Sequence, residues 1–168
     1  MLVSDLIVEV RGTDFDRIGT LVPDDLNGLT LVLRYNNVGT WSITLPSNHR
    51  LVDSLREPGA GIVVSLDNGT IFSGFTTTAK LEQSVDNPLG DWIVEGVSDS
   101  IILSERLAYP TPGESNVTMQ TEAHDVRAGA AETVMKEYVA FNIGQDAGTD
   151  RAIPNLVIQE DAELGALV

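Results

Sequence analysis

Residues 29–46, LTLVLRYNNVGTWSITLP, alternate apolar and polar side chains on both sides of the turn-forming stretch NNVGT. Leu29, Leu31, Leu33 and Tyr35 fall on one face of an extended chain, with Thr30 and Arg34 on the other. After the turn, Trp41, Ile43 and Leu45 share a face, and Ser42 and Thr44 point away. A helix would scatter these residues around its circumference, whereas a period of two lines them up in a half-buried strand. The two arms therefore predict an antiparallel hairpin. Trp41 falls at its closing end, where a large ring covers the edge of a core. Pro46 ends the second arm because it has no N–H to give to a ladder.

The same signature recurs along the chain. LIVEVR, the polar turn GTDFD and RIGTLV predict one hairpin near the start. Pro23, Asp24, Asp25, Asn27 and Gly28 make the next break. Leu51, Val52 and Leu55 lie at helical spacing and predict one or two helical turns, stopped by Pro58 and Gly59. GIVVSLDNGTIFSGFTTTAKLEQS predicts a hairpin about DNG, with positive φ at Gly69. WIVEGVS adds a third strand, so that these three form a meander.

The texture changes at Asp99. SDSIILSERLAYP reads as a turn or short helix, and PTPGESNVTMQTE as a surface crossing. The one long helix is predicted over about residues 130–142, with Ala131, Val134, Met135, Tyr138 and Val139 as its apolar stripe. Gly129 suits its start, Glu132 its first turn and Gly144 its stop. NLVIQE begins a further strand, after which ELGALV ends the sequence with no closing element, as if interrupted. The expected class is mainly β with one principal helix (β+α), as a barrel or a sandwich, divided into residues 1–108 and 109–168.

A chain of 168 residues buries about 70% of its unfolded surface when it packs as one unit. It has no cysteine, so it holds no disulfide, thiolate metal site or thiol nucleophile. No basic, apolar leader stands at its start, and its apolar runs are too short for a membrane helix. It reads as a soluble protein without membrane insertion. The formal charge is -15, and lysine occurs only at Lys80 and Lys136. Such a surface repels phosphate backbones, which argues against free nucleic acid as a partner. It fits an ordinary solvated surface, an acidic lumen or a face for a basic partner.

No chemical motif stands out. The two histidines, His49 and His124, are separated by most of the β region. Asp125 follows His124, but no nucleophile motif of the G-x-S-x-G kind accompanies them. Carboxylates are abundant enough that Glu95, Asp99 and Glu105, or Asp14 and Asp16, fall close in sequence by chance. DNPLGD and PDDLNG lack the spacing of an EF-hand loop. The GAG at residues 59–61 precedes a strand, the wrong order for a phosphate loop. No catalytic, cofactor-binding or metal-ligating residue is assigned, and no enzymatic activity is expected.

Four segments taken in order carry a resemblance: LVLRYNNVGTWSITLP, PGAGIVVSLDNGTIFSG, WIVEGVSDSIILSERLAYP and AHDVRAGAAETVMKEYVAFNIG. Together they resemble minor tail proteins of long-tailed siphoviruses, especially phages of actinobacteria. DVRAGAAETVMKEYV is the most specific of them. Family members often carry a proline at the helix start, where this chain has Ala130 or Ala131. The family is similar to the baseplate hub, or tail-tip hub. The resemblance implies antiparallel β-barrel-like domains related to tail-tube proteins, with residues 109–168 as linker, helix and first strand of a second, incomplete one. It implies a homo-oligomer, usually a trimer, that joins the distal tail ring to the central tip around the DNA channel. The implied neighbours are the distal tail protein ring, the tape-measure protein and other tail-tip proteins. The implied location is the virion tail tip, with host cytoplasm during assembly. In that setting Tyr35, Asn36, Asn37 and Trp41 become candidate assembly contacts, on a loop that Trp41 anchors. Two other readings remain: a carbohydrate-binding β module that stacks sugars on Trp41, Trp92 and the tyrosines, or the non-catalytic N-terminal part of a cell-wall hydrolase.

Overall fold

A computed structural model describes residues 6–67, 69–111, 114, 116–148, 150–153 and 156–168. The chain divides into two compact units, residues 1–101 and 102–168.

The first unit is built on a seven-stranded sheet: β1 (Leu6–Arg11), β2 (Arg17–Leu21), β3 (Gly28–Val32), β4 (Thr40–Pro46), β5 (Gly61–Leu66), β6 (Gly69–Glu82) and β7 (Asp91–Ser98). The spatial order is β2-β1-β5-β6-β7-β4-β3, and every neighbouring pair is antiparallel. Three chain-adjacent groups (β1–β2, β3–β4 and the β5–β6–β7 meander) are joined by the long-range pairs β1–β5 and β4–β7. The sheet curls into a half-barrel. Its outermost strands, β2 and β3, are not paired with each other, so among the described residues the expected barrel stays open.

Alternation does the sorting. In β4, Trp41, Ile43 and Leu45 are buried while Ser42 and Thr44 are half-buried. Val8 and Val10 of β1, Ile62 and Val64 of β5 and Val94 of β7 join them on the core face. The helical turn α1 (Val52–Leu55) closes that face with Leu51, Val52 and Leu55. A bulge at Thr77 shifts the β6–β7 register, and Thr76 beside it donates its hydroxyl to the Leu55 carbonyl at 2.7 Å. The β5–β6 turn differs from expectation. Asp67 takes the left-handed conformation (φ 49°) and Gly69 does not, a conformation that a short polar side chain tolerates.

One buried charge is paired at the end of β1. Arg11 is 4% exposed and holds Asp99 through two bonds, at 2.9 and 2.5 Å. Its guanidinium packs against the rings of both Phe15 and Phe75, 4.7 and 4.8 Å from their centroids. The fork geometry of arginine suits both contacts at once.

In the second unit, after the short helix α2 (Ile101–Glu105), the principal element is α3 (Ala131–Asn142). Val134, Asn142 and the following Ile143 are buried, whereas Met135, expected in the apolar stripe, is 63% exposed. Gly129 does not cap this helix. Ala130 holds the N-cap position without a side-chain bond. The first-turn donors are met instead by residues 164–168. Ala131 N–H donates to the Ala166 carbonyl and Glu132 N–H to the Leu164 carbonyl, both at 3.0 Å, while Gly129 and Val168 exchange both backbone bonds. Free N–H groups in a first turn need such partners. Residues 156–160, expected to begin a strand, form none; residue 155 of that segment lies outside the described residues. This stretch runs along α3 as a strap, held where Lys136 donates to the Glu160 carbonyl at 2.7 Å.

Candidate functional site

Val32 pairs with Thr40, and β3 ends there, so Leu33 and Tyr35 leave the strand in which alternation placed them. The chain turns through Asn36 in a left-handed conformation, φ 51°. Asn37 accepts from the Val38 N–H at 2.7 Å, a local bond that stiffens the turn. The base of the loop is pinned. Gly39 N–H donates to the Ser98 hydroxyl, and Ser98 N–H donates back to the Gly39 carbonyl, each at 2.9 Å. Gly39 must be small, because a Cβ there would lie 2.7 Å from the Val32 carbonyl oxygen.

The four candidate contact residues therefore separate. Tyr35, Asn36 and Asn37 stand on the exposed loop, with Tyr35 94% exposed. Trp41 is 2% exposed and belongs to the core. Its indole lies over the backbones of β6 and β7, where Gly74 and Gly96 leave room. A Cβ on Gly96 would meet the indole nitrogen at 2.4 Å, and one on Gly74 would meet it at 2.9 Å. That nitrogen is buried with no hydrogen-bond partner. The two glycines were not singled out from sequence. Their signal was present: a glycine inside an otherwise β-branched or aromatic strand marks a close approach.

The loop thus has one buried aromatic at its base and one exposed at its tip. Val32 at 39% and Leu33 at 59% exposure extend the apolar surface along the β3 edge. The other candidate aromatics are covered. Trp92 packs against the core beneath Arg56, 4.9 Å from the ring centroid. Arg151 lies 3.5 Å over Tyr109, and Arg127 lies 5.2 Å over Tyr138. A groove of about 370 Å³ lined by Thr30, Ser42, Thr77 and Glu95 offers hydroxyls, but the only ring lining it is the buried Trp41. A sugar-stacking platform needs exposed faces, and among these aromatics Tyr35 alone is largely exposed.

Several of the residues considered for chemistry are paired elsewhere. Asp125 does not orient His124; its carboxylate accepts from Arg127 Nε at 2.8 Å, and Arg127 also reaches Glu137 at 3.0 Å. His49 lies 3.5 Å from Asp25. Asp99 holds Arg11, and Glu95 accepts from Thr78. Among the described residues no group of three or more acidic or histidine side chains is arranged to hold a metal ion. No described helix is long and apolar enough to cross a membrane.

Comparison with known families decides the kinship. Residues 7–166 match the family described as Siphovirus ReqiPepy6 Gp37-like protein. The chain belongs to that family. No curated protein matches it. Membership in this siphovirus family supports a tail-related phage protein and suggests a structural role and association with the virion.

Proposed function

We propose that this Gp37-like chain is a structural component of the siphovirus tail tip, of the baseplate-hub type. In this reading it acts as a homo-oligomer, a trimer, that joins the distal tail ring to the central tip around the DNA channel. It meets the distal tail, tape-measure and other tail-tip proteins and carries out no catalysis. The observation that carries the reading is the outer strand β3 and the loop that continues it. An unpaired strand edge offers a row of backbone donors and acceptors to another chain. Here that edge runs into a base-pinned loop with Tyr35 at its tip, and exposed tyrosine is a preferred interface residue. The charge of -15 serves the same role if carboxylates line the channel, because a like-charged wall keeps DNA from adhering during ejection.

Immunogold electron microscopy of intact phage, with antibody to this chain, tests the proposal. Gold at the tail tip is the expected result. Unlabelled, accessible tips beside soluble antigen in the lysate would overturn it.

A further inference from the structure

The β6–β7 hairpin ends in a stiff apolar knob. Val85 is 99% exposed and Leu89 68%. Beneath them the turn is closed by its own bonds: Ser84 N–H to the Asn87 carbonyl at 3.1 Å, Asn87 N–H to the Ser84 hydroxyl at 3.0 Å, and Gln83 Nε2 to the Pro88 carbonyl at 2.9 Å. Gly90, at φ 78°, completes it. A turn closed by its own bonds loses less backbone entropy when it binds than an open one. Asp86, next to Val85, has neither an ion pair nor a side-chain hydrogen bond among the described contacts.

The second unit carries a complementary feature. Leu103, Ala108, Val139 and Ile143 line a hollow of about 160 Å³ beside α3. The polar atoms that Asn142 and Tyr138 bring to its wall are already satisfied. Asn142 accepts from Tyr109 N–H at 2.8 Å and donates to the Tyr138 carbonyl at 2.9 Å, and the Tyr138 hydroxyl donates to the Asp125 carbonyl. Arg106 aside, what remains is apolar wall. Arg106 stands at the hollow without an ion pair among the described residues. An apolar hollow beside an unpaired guanidinium fits an exposed apolar side chain followed by a carboxylate.

We infer that the hairpin tip of one copy seats in the α3 hollow of a second copy, with Val85 in the hollow and Asp86 against Arg106. The contact is head-to-tail, the kind that closes into a ring when its rotation allows. It names a self-contact for the oligomer proposed above and rests on that reading for its setting. One knob is small for an interface, so it sets register within a larger assembly.

The absence of cysteine permits a direct test on the 168-residue chain. Val85→Cys protein is mixed with Leu103→Cys protein under mild oxidation. A mixture of Val85→Cys with Met135→Cys, exposed on the same helix as Val139, is the control. The 85–103 disulfide is expected to form about tenfold faster than the control. Arg106→Asp is expected to slow it to the control rate, and adding Asp86→Arg on the partner copy to restore it. Equal rates for the two mixtures, or a rate indifferent to both charge reversals, would overturn the contact. Failure here with labelled tail tips would remove this contact alone. Efficient cross-linking with unlabelled tips would remove the tail location alone.

Discussion

Trp41 stands beside the exposed loop that carries Tyr35 and is itself buried. Its ring fills space that Gly74 and Gly96 leave open. Gly96→Ala would set a methyl 1.9 Å from the Phe75 carbonyl oxygen and 2.4 Å from the indole nitrogen. Neither can yield cheaply, since one is paired backbone and the other a packed ring. The substitution is expected to cost about 3 kcal/mol, measured by urea unfolding followed through tryptophan fluorescence. Tyr35 is its opposite. At 94% exposure its removal leaves the core untouched. Tyr35→Ser should change stability by less than about 0.5 kcal/mol and yet reduce incorporation into tails, counted by quantitative blotting of purified particles. If particles took up the variant as well as the wild type, Tyr35 would have no part in assembly.

At the scale of elements, alternation made the strands and local hairpins readable, because a period of two with turn residues between is a local property. It overran where the register ended. Leu33 and Tyr35 continue the pattern beyond the last pair, Val32 with Thr40, and only the partner strand decides where pairing stops. The neighbours β1–β5 and β4–β7 were likewise hidden, since nothing local to Val8 names Val64 as its partner. The strap over α3 was misread as a strand for a similar reason: its bonds run to a helix start and a lysine. Those bonds predict a pH response. A bond from Lys136, and then the Leu164 N–H, hold the Glu132 carboxyl below its ordinary range. The Thr133 side chain, and then the Glu163 N–H, hold Asp161 below its own. A carboxylate with a lowered folded-state pKa contributes stability above its unfolded value and loses it as pH falls through the folded one. The strap should therefore stay fastened at neutral pH and loosen below about pH 4. Amide NMR shifts of Glu163 and Leu164 on acidification are the readout; shifts that stay flat to about pH 2 would contradict the clamp.

For the whole molecule, charge is the property that needs no fold to be read. A formal charge of -15 predicts no retardation of double-stranded DNA in a gel-shift experiment at about 0.15 M salt. Retardation under those conditions would remove the repelling-wall role proposed for the carboxylates. The order of elements also carries timing. The first-turn donors of α3 wait for carbonyls at Leu164 and Ala166, which leave the ribosome after the whole helix has been made. A chain cut after Glu160 has all of α3 but leaves its first turn to water. The unit is fastened last at the place where its helix begins, so translation runs ahead of folding there until the strap arrives.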